Sequence, residues 1–273
     1  DKLQDAAYKK VVFEQRKTER INQVHDQLKC SSDKIRFYDH HTCHAAAAYY
    51  GSHYGFEDKV LVLTADGAGD GLCSTVSIGH QGKLKRIAST DRKASLGKIY
   101  SRITYLLGFK PWEHEYKIMG MSPYGDKKRS EELLKIFEDL IDINKDEPMV
   151  FSINSELETN YIYHYLKENL ERARFDEVSR AIQTFTENLI LKWVTNCINE
   201  TKISKIALGG GVFMNVKANQ KISQIKEVKD IFIFPSCGDE SLSLGACWLN
   251  YYEIENKKTE IKHIYLGGKF SND

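Results

Sequence analysis

Residues 205–252 read KIALGGGVFMNVKANQKISQIKEVKDIFIFPSCGDESLSLGACWLNYY. Lys205 to Leu208 has the short apolar pattern of a buried strand and runs into Gly209-Gly210-Gly211. A short helix is expected near Met214 to Ile222, then a strand at Ile231 to Phe234. The loop Pro235 to Glu240 follows, and a second helix at Ser241 to Tyr252. Strand, glycine turn, helix, strand, acidic loop, helix is an α/β arrangement, in which ligands sit outside the carboxyl ends of the strands.

Upstream, Phe175 to Ile198 gives the clearest helical period, inside a stretch from residue 128 to 200 that reads as mostly helical. Leu96 to Leu107 predicts another helix, stopped by Gly108. Lys59 to Thr64 (KVLVLT) predicts a strand that ends in the loop Ala65-Asp66-Gly67-Ala68-Gly69-Asp70-Gly71. Leu72 to Ile78 and Leu84 to Thr90 predict two more strands, joined by a turn at Gly79-His80-Gln81-Gly82. His40 to Tyr50 predicts a helix with Asp39 as its cap, and Ala45 to Ala48 favour close packing. Ile35 to Tyr38 reads as a short strand, and residues 1–36 as a charged, loosely helical lead-in. Residues 37–255 then form the main domain, with an insertion at about 127–175, and residues 256–273 begin a link to a further domain.

The 273 residues suffice for one large domain or two lobes around a cleft. With 41% hydrophobic and 28% charged residues, the composition fits a soluble globular chain. The net charge of +1 provides no general attraction to nucleic acid or an anionic membrane. No stretch approaches the ~18 apolar residues of a membrane span, and the opening Asp1-Lys2-Leu3-Gln4 has no signal-peptide pattern. Six scattered cysteines without a CxxC pair predict free thiols and a cytoplasmic location.

Five segments carry residues suited to chemistry. His40 and His44 share one helix face at i, i+4, a spacing that lets two imidazoles hold one divalent ion, while His41 points about 100° away. The same spacing occurs by chance on solvated helices, so both readings stay open. No Glu follows the first His, so the HExxH protease reading lacks its base. Asp66 to Gly71 offers a metal-binding carboxylate and glycines, Gly69 among them, that admit a ligand to the backbone; a tight Asp/Gly turn is the plainer reading. Gly209, Gly210, Gly211 and Asn215 suit a nucleotide near a helix start, or a simple strand-to-helix turn. Asp239 is a second oxygen ligand or a helix cap. In Glu113 to Gly125, Lys117 can meet a phosphate and His114 can serve as a supporting base, or the segment is an ordinary loop.

Together, in this order, these segments resemble the O-carbamoyltransferases that decorate nodulation factors and antibiotics. The matching strings are DHHTCHAAAAYYGS, VLTADGAGDG, SLGKIYSRITYLLGFKPWEHEYKIMGMSPYG, ALGGGVFMNVKAN and FIFPSCGDESLSLGA, spread over about residues 37 to 248. The resemblance implies an actin/sugar-kinase/heat-shock-ATPase-like fold with ribonuclease H-like lobes, here incomplete at the N-terminus, and kinship to the tRNA threonylcarbamoyl-transfer enzymes. It implies a divalent ion on His40, His44, Asp66 and Asp239, with iron first and manganese or zinc as alternatives. It gives His40, His44 and Lys117 catalytic roles, Lys117 stabilising phosphate or carbamoyl charge, and it gives Gly209 to Gly211 and Asn215 the adenosine part of carbamoyl-adenylate, with Gly69 also among the cofactor-binding residues.

In that reading the donor is made from carbamoyl phosphate and ATP, and the carbamoyl group passes to a hydroxyl of a small molecule or sugar. No nucleic-acid or membrane partner is expected, and apolar stretches leave room for a homodimer. Two alternatives remain: threonylcarbamoyl transfer to tRNA, and a truncated nucleotide- or metal-binding module without activity.

Overall fold

The computed structural model describes residues 2–258 with His263, Gly267, Gly268 and Phe270; side chains are described from Val11 onward. The chain forms two compact units, Asp1–Tyr38 and Asp39–Asp273. The first holds the long helix α1 (Lys2–Leu28) and a short 3-10 turn at Ser32–Lys34. Ile35 to Tyr38 forms no strand, contrary to the sequence pattern. Phe37 is 51% exposed, so the apolar alternation there has no ladder to join.

The second unit begins with α2 (His40–Tyr50), followed by the meander β1 (Val60–Gly69), β2 (Leu72–His80) and β3 (Lys83–Asp91). Helices α3 (Leu96–Leu106), α4 (Glu115–Met121) and α5 (Lys127–Glu138) come next. The small hairpin of β4 (Ile141–Ile143) and β5 (Phe151–Ile153) precedes α6 (Tyr163–Leu170) and α7 (Phe175–Thr201). The unit closes with β6 (Lys205–Gly209), α8 (Val216–Ser223), β7 (Asp230–Ile233) and α9 (Leu242–Glu255).

The main sheet has the order β3-β2-β1-β6-β7. β2 is antiparallel to both neighbours, and β1, β6 and β7 run parallel. Five strands in this order, with only the second reversed, form a ribonuclease H-like lobe, the fold unit that the sequence resemblance implied. One such sheet occurs among the described residues.

Both sheet faces are covered, which is why β1 reads as a continuous apolar run. Leu61 and Leu63 join the larger cluster with α3 and α7, while Val60 and Val62 pack with Ala45, Ala46, Ala48 and Tyr49 of α2. The alternation follows the two-residue period of a strand. Trp193 of α7 is fully buried, and its indole N–H donates to the Met149 carbonyl at 2.7 Å.

Two differences from the sequence reading stand out. The β4–β5 hairpin interrupts the stretch expected to be mostly helical. Ile141, Ile143 and Phe151 are buried in the larger cluster, and that tertiary burial overrides the helical period. The strand expected to end at Thr64 continues to Gly69, so the acidic loop shrinks to Asp70-Gly71, with φ 48° and 86°. Asp-Gly with two positive φ values is the two-residue turn that suits the twist of a hairpin.

Candidate metal centre and cleft

Three parallel strands end on one edge of the sheet, and that edge gathers the site. Asp39 caps α2 by accepting the Thr42 N–H at 2.8 Å, and Arg86 pairs with the same carboxylate. Asp70, in the turn after β1, accepts the His40 N–H at 2.8 Å. Two N–H groups at the exposed start of α2 are thereby satisfied, which fixes where His40 and His44 point. The register between β1 and β2 breaks from Ala65 to Gly69, which frees Asp66 from the ladder. Past β7, the loop leads into a 3-10 turn at Asp239–Ser241.

His40 Nε2 lies 3.0 Å from Asp66 Oδ2, 3.6 Å from Asp239 Oδ1 and 3.2 Å from His44 Nε2. His44 Nε2 lies 3.5 Å from each of those carboxylate oxygens. The four ligand atoms fall within 4.8 Å of one another. For metal–ligand bonds of about 2.1 Å, neighbouring ligands lie about 3.0 Å apart in an octahedron and about 3.4 Å apart in a tetrahedron. The observed 3.0–3.6 Å separations match that range. Two Nε2 atoms face one another and two carboxylate oxygens, so four potential donor atoms converge on one point. The donor set of two imidazoles and two carboxylates, without thiolate, fits a first-row divalent ion such as iron, manganese or zinc.

The surroundings support the same reading. His44 is fully buried, and its Nδ1 lies 3.2 Å from the Ser241 hydroxyl, which orients the ring. Burial pushes the Asp66 carboxyl up, yet hydrogen bonds from His40, His44 and the Gly67 N–H, with the His44 charge, together outweigh it and hold the group well below the usual carboxylate range. Burial lowers the His40 imidazole, and its hydrogen bond and charge contact with Asp66 overcome that, leaving it raised. Asp239 is raised by burial and by the Asp66 charge. His41 turns the other way, with Nδ1 2.8 Å from Thr64 Oγ1, and burial lowers it to about 4.

A cleft of about 410 Å³ adjoins the four side chains, and Asp66 and Asp239 belong to its wall. Tyr100, Trp112, Tyr116, Met119 and Met214 give it aromatic and thioether surfaces, and Glu113, Glu115 and Glu240 bring carboxylates. Among the described residues, no lysine or arginine lines it. Trp112 is 78% exposed and sits at φ 68°, an unusual conformation for so bulky a residue. Its N–H is held by Glu115 Oε1 at 2.7 Å. Backbone of this kind costs on the order of 1–3 kcal/mol and collects at ligand-binding sites.

The glycines divide by role. A Cβ on Gly209 would lie 2.8 Å from the His44 carbonyl oxygen, and one on Gly210 would lie 2.4 Å from the Ala65 carbonyl oxygen. Both positions are therefore fixed by packing against α2 and β1, and neither lines the cleft. Gly211 does line it, beside Asp66, and so does Asn215. Asn215 caps α8 through the Ala218 N–H and exchanges hydrogen bonds with Gln183. Gly69 lies under the His40 ring, and the room it leaves is filled by that ring.

Lys117 is not among the residues of the cleft wall: its ammonium lies 5.4 Å from the Phe109 ring centroid and 5.9 Å from that of Tyr116, a residue of that wall. His114 accepts the Lys110 N–H through Nδ1 and stays in its own loop. The sequence reading missed Ser241, Trp112 and Tyr100. Ser241 gave no signal, because its partner His44 is distant in the chain. Tyr100 and Trp112 lie inside a matching string, but their spacing has no period that marks a pocket.

Comparison with known proteins follows the same lines. The region described as the carbamoyltransferase N-terminus matches residues 1–248. The chain belongs to the carbamoyltransferase family. An uncharacterised Methanocaldococcus jannaschii protein is 31% identical over 261 residues, covering 90% of this chain and 49% of that one. The nodulation protein NolNO of Sinorhizobium fredii is 28% identical over 242 residues, covering 88% of this chain and 35% of that one. A tRNA N6-adenosine threonylcarbamoyltransferase of Ureaplasma parvum is 26% identical over 179 residues, covering 64% of this chain and 51% of that one. The chain thus spans about half or less of the length of these relatives. None of its described helices is long and apolar enough to cross a membrane, and all six cysteines are free.

Proposed function

We propose that this carbamoyltransferase domain holds carbamoyl-adenylate and passes its carbamoyl group to a hydroxyl of a small molecule or sugar. The observation that carries the proposal is the junction of two features. His40, His44, Asp66 and Asp239 converge, and two of them, Asp66 and Asp239, lie on the wall of a cleft that aromatic side chains also line.

The aromatic and thioether side chains offer stacking surface to a purine. Glu113 and Glu115 can accept hydrogen bonds from ribose hydroxyls. Gly211 brings bare backbone to the cleft near Asp66, which suits the adenylate phosphate at the metal side. When bound, a divalent ion would supply Lewis acidity, lowering the acceptor hydroxyl's pKa and offsetting phosphate charge. Transfer forms a bond from the acceptor oxygen to the carbamoyl carbon and breaks the bond from that carbon to the adenylate phosphate. AMP departs, and the hydroxyl proton leaves to solvent or to the departing phosphate. Five carboxylates and no lysine or arginine on the cleft wall favour a neutral or cationic acceptor over a polyanion such as tRNA. Synthesis of the adenylate from carbamoyl phosphate and ATP is assigned to a separate domain of the whole protein.

The test supplies carbamoyl-adenylate and a divalent ion to the protein, with a panel of sugars and, separately, tRNA. A carbamoylated sugar in the mass spectrum supports the proposal. A modified tRNA with unmodified sugars, or adenylate left intact in both arms, overturns it.

A further inference from the structure

The cleft has a charge problem that its own lining does not solve. Its ionisable wall residues are Asp66, Glu113, Glu115, Asp239 and Glu240, all acidic. A nucleotide phosphate facing them is repelled unless cations answer it, and a single divalent ion among two ligating carboxylates leaves little excess positive charge. Lys117, the lysine marked by the sequence, lies over Phe109, outside the cleft wall, and over Tyr116, on it, and has no contact with the Asp66-Gly67 end of β1 among those described.

Lys98 is placed differently. It lies in the first turn of α3, and its backbone N–H is fixed by the Ser95 hydroxyl at 3.1 Å. That hydroxyl itself donates to the Gly67 carbonyl at 2.6 Å, so the start of α3 is pinned to the end of β1. Gly97, next to Lys98, packs so closely on Asp66 and Gly67 that an added Cβ would lie 2.9 Å from their backbone. The Lys98 side chain then meets two residues of the cleft wall. Its Cε lies 3.9 Å from where a Gly67 Cβ would stand, and its ammonium lies 5.6 Å from the Trp112 ring centroid. Gly67 and Trp112 both line the cleft. Lys98 makes no ion pair among the described residues, so its charge is available to a ligand.

Resting on the reading of this cleft as a nucleotide site, we infer that Lys98 is the protein cation that meets the phosphate oxygens of the adenylate donor. Trp112 is the positioning residue. Its exposed ring offers the ammonium a face on the cleft wall. The ammonium can move from that face to a phosphate by rotation about the flexible lysine stem.

Calorimetry in buffer with Mn²⁺ tests this, using ATP and adenosine as probes for the intact chain and for Lys98→Met, Lys98→Arg and Lys117→Met. Met is a good helix former, so the α3 turn is retained, and melting curves check the fold. Lys98→Met is expected to weaken ATP by about tenfold or more, as loss of one charge-assisted hydrogen bond implies, while adenosine affinity and metal content stay unchanged. Lys98→Arg keeps more of the ATP affinity than Lys98→Met. Three results overturn the assignment and leave the cleft reading standing: unchanged ATP affinity in Lys98→Met, equal loss for ATP and adenosine, or the loss appearing in Lys117→Met instead. A wild-type chain that binds neither probe removes the cleft reading itself, and the Lys98 assignment with it.

Discussion

Gly69→Ala separates the metal site from the stability of the fold. A Cβ at this position would lie 2.1, 2.2 and 2.5 Å from three atoms of the His40 imidazole. Carbon contacts relax at about 3.5 Å or more, so the ring must retreat by roughly 1.0–1.4 Å. His40 Nε2 now sits 3.0 Å from Asp66 Oδ2 and 3.2 Å from His44 Nε2. A retreat of that size takes it out of reach of an ion held by the other three ligands. The ring is partly exposed and can swing outward, so the fold changes by no more than about 1–2 kcal/mol. Metal affinity falls by about 10–100-fold or more. Gly71→Ala is the control. Its φ is +86° with nothing within 4 Å, so the added methyl meets only backbone strain. That costs about 1–2 kcal/mol of stability and leaves metal affinity unchanged. Calorimetric titration of the metal-free proteins with Mn²⁺, beside thermal melts, reads both quantities. A Gly69→Ala protein that binds metal as tightly as the wild type refutes the reasoning.

Other consequences can be checked more simply. Ser241→Ala removes the hydroxyl beside His44 Nδ1 and should weaken metal binding by about tenfold without unfolding the chain, as metal titration will show. Gly245→Ala places a Cβ 2.0 Å from the Cys43 carbonyl oxygen and forces α9 off α2, a loss of about 1–3 kcal/mol readable by denaturant melts. Under native conditions a thiol reagent should modify Cys247 first and Cys30 more slowly. Cys43 and Cys237 stay protected, since burial raises their thiols to about 11. Burial raises Asp142, but the Lys192 hydrogen bonds and charge, the Ile143 N–H and the Lys145 charge together outweigh it, so its folded pKa is depressed. The associated stability is present above the unfolded pKa near ~4 and is lost as pH falls through the folded value. Both side chains are half-exposed, so Lys192→Met should cost under about 1 kcal/mol at neutral pH and almost nothing in strong acid.

Residues differ in how much of this was legible from sequence. The parallel strands were visible because strands buried on both faces must be continuously apolar. Asp39 was visible as a cap because capping is a local hydrogen bond. Four candidate metal ligands were named by their strings, yet spacing alone joined only His40 to His44. Bringing in Asp66 and Asp239 needed the β1-β6-β7 pairing, which is long-range. The packing of Gly209 and Gly210 was hidden for the same reason: each glycine's empty side is filled by the protein's own backbone, as only the packed fold reveals. The β4–β5 hairpin hid behind a helical period because its burial against α7 is tertiary. Lys98 was passed over in favour of Lys117, since nothing local shows which lysine faces the cleft.

The most direct test of the account is the metal stoichiometry of the purified chain, beside His40→Ala, His44→Ala, Asp66→Ala and Asp239→Ala. The account predicts one divalent ion per wild-type chain, with weaker or lost binding in every variant and a folded protein throughout. Unchanged metal content in His40→Ala or His44→Ala would contradict it.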